Sequence, residues 1–146
     1  MSDIVAPAEG WVHRYPVQVQ FDEVDQYGIV HHPRYFVFFE RARVQLMGRL
    51  GMTIDRPEVS GLGLIVASAE IKFLRSAHFL DDLVVEQGCR QAGASRIGLA
   101  YRILRGQEVI AKAELVLAFV DAEGRPCRAP SDIRGGLAKM GVPGQG

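Results

Sequence analysis

The chain is short of cysteine, of net charge and of long apolar runs, and each shortage closes off a class of protein. Cys89 and Cys127 are the only cysteines in 146 residues, far apart and without a C-x-x-C spacing. Neither a disulfide framework nor a thiolate zinc site is therefore expected, and two free thiols in a reducing compartment fit this usage. Seventeen basic residues balance seventeen acidic ones, which argues against a broad nucleic-acid or anionic-membrane surface. No stretch approaches the roughly 18 apolar residues of a membrane-spanning helix, and MSDIVAPAEG has no basic region leading into a long apolar run. A cytoplasmic protein is expected. There is no internal repeat and no domain boundary.

With 48% hydrophobic and 23% charged residues, a chain of this length is expected to form one well-cored domain over 1–146, with 1–10 and about 122–146 peripheral. His13 to Phe21 alternates, Tyr15, Val17, Val19 and Phe21 on one side against Arg14, Gln18 and Gln20 on the other, the period of a half-buried strand. Pro16 places that strand at or near an edge. From Pro33 to Leu50 the period becomes helical: Tyr35, Phe36, Phe39, Leu46, Met47 and Leu50 share an apolar arc that Phe38 and Ala42 widen, and Gly51 is a plausible stop. Arg43 falls inside the arc, and Glu40, three residues earlier, is at the right spacing to pair with it.

Residues 52–63, with Pro57, Gly61 and Gly63, read as a loop that could border a pocket. Leu64 to Arg75 alternates again, with Ile65, Ala67, Ala69, Ile71 and Phe73 on one face. Three more strands are predicted over Leu83–Arg90, Arg96–Arg105 and Val109–Asp121, separated by hairpin turns. In the last two, the odd positions from Ile97 to Ile103 and from Val109 to Phe119 all face one way. A short helix fits around Ser131 to Met140. One strand, one long apolar helix and four strands make an α+β order in which a single helix covers an antiparallel sheet.

Chemistry concentrates in residues 25–43, DQYGIVHHPRYFVFFERAR. Gly28 offers a turn, and Pro33 suits a helix starting near His32. The first amides of a helix lack intrahelical partners and its dipole makes that end positive, so developing negative charge is stabilised there. Asp25 and His32 stand beside this possible oxyanion site, and nearness to it would favour ionised Asp25. Asp25, His31 and His32 could be imagined as metal ligands, but no spaced cluster supplies further ones, and no metal is expected.

Asp25, Gly28, Ile29, Val30, His32, Tyr35, Phe39, Glu40 and Arg43 form the pattern D-x-x-G-[IV]-V-x-H-x-x-Y-x-x-x-F-E-x-x-R. In this, and in AHFLDDLVVE at 77–86, the chain resembles the hotdog-fold acyl-CoA thioesterases, the group that includes 4-hydroxybenzoyl-CoA thioesterase and the YbgC proteins. The resemblance runs from about 14 to 121. It implies a curved antiparallel sheet of five or six strands wrapped around one long central helix. It also implies protomers paired edge to edge, such dimers often pairing again into homotetramers, with sites between subunits.

By the motif match, Asp25 takes the place of the catalytic carboxylate, and the backbone N–H near His32 that of the group polarising the thioester carbonyl. The His32 side chain could bond the carbonyl, orient Asp25 or help protonate the leaving thiolate. Gly28, Val30, His31, Tyr35 and Glu40 are expected around the substrate, and Arg90 and Arg96 at the phosphates of CoA. No cofactor is needed, coenzyme A being part of the substrate. Phe21 stands where some relatives have tyrosine, Arg34 where asparagine is common, and His31 where an aromatic residue is frequent. Rival expectations are a thioesterase acting on acyl carrier protein, or a non-catalytic acyl-CoA binding or scaffold protein.

Overall fold

The computed structural model describes residues 8–53 and 55–144; most of the expected lead-in at 1–10 lies outside them. Five strands follow the alternating segments: β1 (His13–Gln18), β2 (Gly63–Phe73), β3 (Asp82–Ala92), β4 (Arg96–Arg105) and β5 (Glu108–Val120). They form one antiparallel sheet in the order β1-β3-β4-β5-β2. Between β1 and β2 runs the helix α1 (His32–Arg49), which buries Tyr35, Phe38, Phe39, Ala42, Leu46 and Met47 in the core with Leu99, Ile103, Leu115 and Leu117. Removing one of its buried rings, as in Phe39→Ala, would cost about 3–5 kcal/mol. The architecture is α+β with five strands, one long helix and a short second one.

The strict alternation expected of the strands is interrupted by bulges. In β2 the register against β5 shifts between Val66 and Ser68, so Val66 pairs with inward-facing Leu117 while Ile65 pairs with Ala118. An extra residue reverses the side-chain parity beyond it. Ile65, expected inside, is 52% exposed. A second shift, between Ile103 and Leu104 of β4, buries Ile110 completely, where Val109 was expected to face inward. Phe21 departs for another reason: β1 ends at Gln18, the chain enters a 3-10 turn at Phe21–Glu23, and the Phe21 ring is 78% exposed. Phe36, predicted in the apolar arc of α1, is also exposed.

The helix backbone comes nearest β1 and β3, its buried side chains reach β4 and β5, and its first turn meets the end of β2 at Phe73. β2 is an edge strand with Ala67, Ala69 and Phe73 open as well as Ile65. After β5, the chain forms α2 (Ser131–Ala138), which packs on β3 and buries Ile133 and Leu137. The tail is thus less peripheral than expected: Gly141 N–H donates to Trp11 O at 2.8 Å, and Cys89 N–H donates to Gly141 O at 3.1 Å. The short helix predicted there is present.

Several polar groups inside the fold are paired across elements, while Glu23 Oε2 and Gln87 Oε1 have no hydrogen-bond partner among the described residues. His13 is 1% exposed; its Nε2 lies 2.9 Å from Gln45 Oε1 and its Nδ1 2.9 Å from Gln87 Nε2. An amide nitrogen can only donate, so the ring accepts at Nδ1 and donates from Nε2. The expected Glu40–Arg43 ion pair does not form. Arg43 instead points across the core and donates to Tyr101 Oη at 3.3 Å, while Glu40 is solvent-exposed.

Candidate active site

Asp25 closes its own turn. The Tyr27 and Ile29 N–H groups donate to Asp25 Oδ1 at 2.8 and 3.2 Å, the Gly28 N–H donates to Asp25 O, and the Asp25 N–H donates to Ile29 O, both at 2.9 Å. Gly28 sits at φ +76°, a conformation that costs a residue with Cβ and suits glycine. The Ile29 and Tyr27 N–H groups hold the Asp25 carboxyl below its usual range. Lowering was expected from the helix start; local hydrogen bonds to the turn are its principal cause. Oδ2 has no hydrogen-bond partner among the described residues.

The turn is flanked by a narrow ribbon, with Val24 bridged to Val30 and the His31 N–H donating to Glu23 O at 3.1 Å. Residues 76–80 support it from below. The Val30 N–H donates to Ala77 O at 2.9 Å, the Phe79 N–H donates to Gly28 O at 3.0 Å, and Ile29 bridges His78. Tyr35, buried at the end of the first helical turn, accepts the Ala77 N–H on its hydroxyl at 3.3 Å. Burial pushes its phenol up. The AHFLDD segment therefore acts as the floor of the Asp25 turn, and Leu80, at φ +69°, lies in its bend.

The helix begins at His32 with His31 as N-cap and Pro33 in the first turn. Among the described residues, no acceptor is found for the His32 N–H. The His32 ring does not bond Asp25; it stacks on Phe73. Beside it lies a cavity of about 240 Å³ lined by Ile29, Val30, His32, Tyr35, Phe73, Leu74, Arg75 and Ser76.

Of the expected site residues, Val30, His32 and Tyr35 meet at this cavity; Asp25 and Gly28 form the turn leading to it, and His31 caps the helix. Glu40 lies in a separate groove with Tyr15, Arg41, Val44 and Gln45. Arg90 pairs with Glu114 at 3.1 Å and lines a larger cavity with residues of β2, β4 and β5, and Arg96 is exposed at the start of β4. Phe73 was expected on a strand face and Arg75 among several arginines near strand ends that could meet CoA phosphates; that both belong to this cavity escaped the sequence reading. Their signal was only the end of a strand, and β2 reaches the helix start through tertiary pairing. Among the described residues, no group of three or more His, Cys, Asp or Glu could hold a metal ion.

Comparison with known proteins places this geometry in a family. Residues 19–137 match the model of the thioesterase-like superfamily. The acyl-CoA thioesterase YbgC of Haemophilus influenzae is 30% identical over 122 residues, which cover 82% of this chain and 90% of that protein. An acyl-acyl carrier protein thioesterase of Arabidopsis thaliana, ATL3, is 29% identical over 84% of this chain and 65% of its own length. A hypothetical protein from Thermus thermophilus of known structure superposes with a TM-score of 0.78 at 27% identity, covering 86% of this chain and 97% of its own. The match spans β2 to β5, α1 and the Asp25 turn, and the chain belongs to the thioesterase-like superfamily.

Proposed function

We propose that the protein is a hotdog-fold hydrolase of acyl-CoA thioesters, releasing a free acid and CoA. The observation that carries this reading is the Asp25 turn set against a helix start whose His32 N–H has no acceptor among the described residues, at the edge of an aromatic-walled cavity. A thioester carbonyl is already a good electrophile, so it requires a donor for its developing oxyanion and an oxygen nucleophile. The His32 N–H supplies the donor. Asp25, ionised and with Oδ2 uncommitted, either attacks the carbonyl carbon or takes a proton from an attacking water. In either route the new C–O bond forms first and the oxyanion then collapses, breaking the C–S bond. Where Asp25 activates water, that water's proton finishes on the CoA sulfur. Where Asp25 is the nucleophile, the thiolate leaves and a water then opens the acyl-aspartyl anhydride, releasing the acid and supplying the proton.

Arg75, with Glu108 Oε2 3.7 Å from its Nε, lines the cavity and is the nearer cation for a CoA phosphate; Arg90, paired with Glu114, and Arg96 lie outside that cavity. The uncovered edge of β2 supports edge-to-edge pairing of two protomers, which would complete the cavity wall. Among the described residues, no helix is long and apolar enough to cross a membrane, and a cytoplasmic location fits this chemistry.

The resemblance to the Arabidopsis protein supports a second substrate carrier, acyl carrier protein. Thiol release across short, long, branched and aromatic acyl groups, each presented on CoA and on acyl carrier protein, separates the two, with Asp25→Asn as control. Binding of acyl-CoA without release from either carrier would establish a non-catalytic binder instead.

A further inference from the structure

Glu23 is the odd carboxylate of this fold. It is 2% exposed, and its Oε2 has no hydrogen-bond partner among the described residues. A buried, half-satisfied carboxylate is costly to keep, and its neighbours indicate what it is kept for. Oε1 accepts the Gln20 N–H at 2.8 Å, and the backbone carbonyl accepts the His31 N–H at 3.1 Å. Oε2 faces the Arg41 guanidinium of α1, with Nη1 at 3.6 Å. A second arginine of the helix, Arg34, reaches Asp22 O at 3.4 Å.

The geometry around these contacts is that of a pivot. Residues 23–25 and 29–31 form a two-stranded ribbon, closed at its tip by the four hydrogen bonds of the Asp25 turn. Residues 77–79 support its tip and one flank, and α1 adjoins its base. At that base, the links to α1 are the His31 N–H, the Arg34 contact and the Glu23–Arg41 pair, of which only the last joins two opposite charges. Arg41 is half exposed, so water weakens the pair as a source of stability. Its direction is nonetheless specific, running from the third helical turn to the residue two before Asp25.

We propose that Glu23 is a positioning residue, through which Arg41 holds the Asp25 turn in register with the His32 N–H. This rests on the reading of Asp25 as the catalytic carboxylate. Near-attack geometry tolerates little error, and a displacement of about 1 Å can cost roughly 100-fold in rate.

Thiol release from butyryl-CoA or benzoyl-CoA, whichever the parent turns over faster, tests this in Glu23→Gln, Arg41→Gln, Arg41→Lys and the double glutamine variant. Glutamine at 23 can still accept the Gln20 N–H but loses the charge facing Arg41. Each single glutamine variant should lower kcat by roughly 10-fold or more with KM within about threefold. The double variant should be no worse than the poorer single one, and Arg41→Lys should recover most of the loss. Should Glu23→Gln fail to fold, the Arg41→Gln and Arg41→Lys pair decides the matter alone, since Arg41 lies at the surface. Folded glutamine variants with parental kcat, or a lysine variant no better than glutamine, would overturn the proposal. Asp25→Asn run alongside separates the two ideas. If it is inactive while the others are normal, only the pivot is wrong; if it is active, the Asp25 reading fails and the pivot with it.

Discussion

The His32 imidazole lies flat on the Phe73 ring, with centroids 3.8 Å apart and planes at 6°, joining the start of α1 to the end of β2. Tyr35 meets both rings edge-on, at 6.3 and 5.1 Å. The imidazole is thereby held as a wall of the cavity, and in the proposed mechanism His32 acts through its backbone N–H. His32→Phe should keep the stack and that N–H, and so retain kcat/KM within about threefold. His32→Ala should lose roughly 10-fold through a loosened helix start. A collapse in His32→Phe measured by thiol release would show that the ring nitrogens themselves take part.

Asn at position 25 can still accept the Tyr27 and Ile29 N–H groups, so Asp25→Asn should leave the thermal midpoint almost unchanged. The rate should nevertheless fall by roughly 10²–10⁴, the range for loss of a positioned base. Because the two N–H groups hold the folded carboxyl below its usual value, the ionised form persists as pH falls. The acid limb of kcat/KM should therefore lie below about 3.9, the ordinary aspartate value. A limb centred near 6 would point to a different base.

Burial lowers the pKa of His13, reinforced by the nearby Arg49 charge and opposed by the Gln45 hydrogen bond. The unfolded chain therefore takes up this proton first as pH falls below about 6.5. Stability from His13 is fully present above that value and is lost as pH falls toward the lower folded value. Urea midpoints at pH 5 and 7.5 should differ less in His13→Asn than in the parent. An unchanged difference would remove His13 as the cause.

Tyr101 provides the acceptor found for buried Arg43, and burial pushes the phenol up to about 12. Tyr101→Phe should destabilise the protein by about 1–3 kcal/mol, the penalty for leaving a buried donor unpaired. Chemical denaturation measures it directly. A cost near zero would mean that Arg43 is solvated along another route.

The outer edge of β2 leaves backbone groups unpaired beside exposed Ile65, Val66, Phe73 and Leu74. An edge of this length and character invites pairing with another chain. Sedimentation should give at least a dimer, and Ile65→Lys should shift it toward monomer with loss of thiol release. A monomeric, fully active parent would show that one chain suffices.

Much of this was written in local spacing. The 3.6-residue period of Tyr35, Phe39, Leu46 and Met47 specifies the buried face of α1, because side chains three and four apart share one side of any α-helix. The motif from Asp25 to Arg43 places a turn before a helix start for equally local reasons: Gly28 tolerates positive φ, and Pro33 gives up no helical hydrogen bond. Other features were illegible because periodicity carries no information on which distant groups meet. The bulges of β2 and β5 add a residue that alternation cannot announce, and they alone decide that Ile65 faces out and Ile110 in. Glu40 and Arg43 had the right spacing to pair, yet the arginine found Tyr101, 58 residues on.

The chain by itself determined the elements, the family and the residues of the Asp25 turn, all consequences of backbone preference and apolar spacing within short windows. Only the tertiary structure decided that Ala77 and Phe79 floor that turn, that Phe73 backs His32, that Glu23 is buried against Arg41 and that β2 is left as an open edge. Each of these depends on hydrogen bonds or burial between segments brought together by sheet pairing and helix packing, and such meetings exist only once the core has closed.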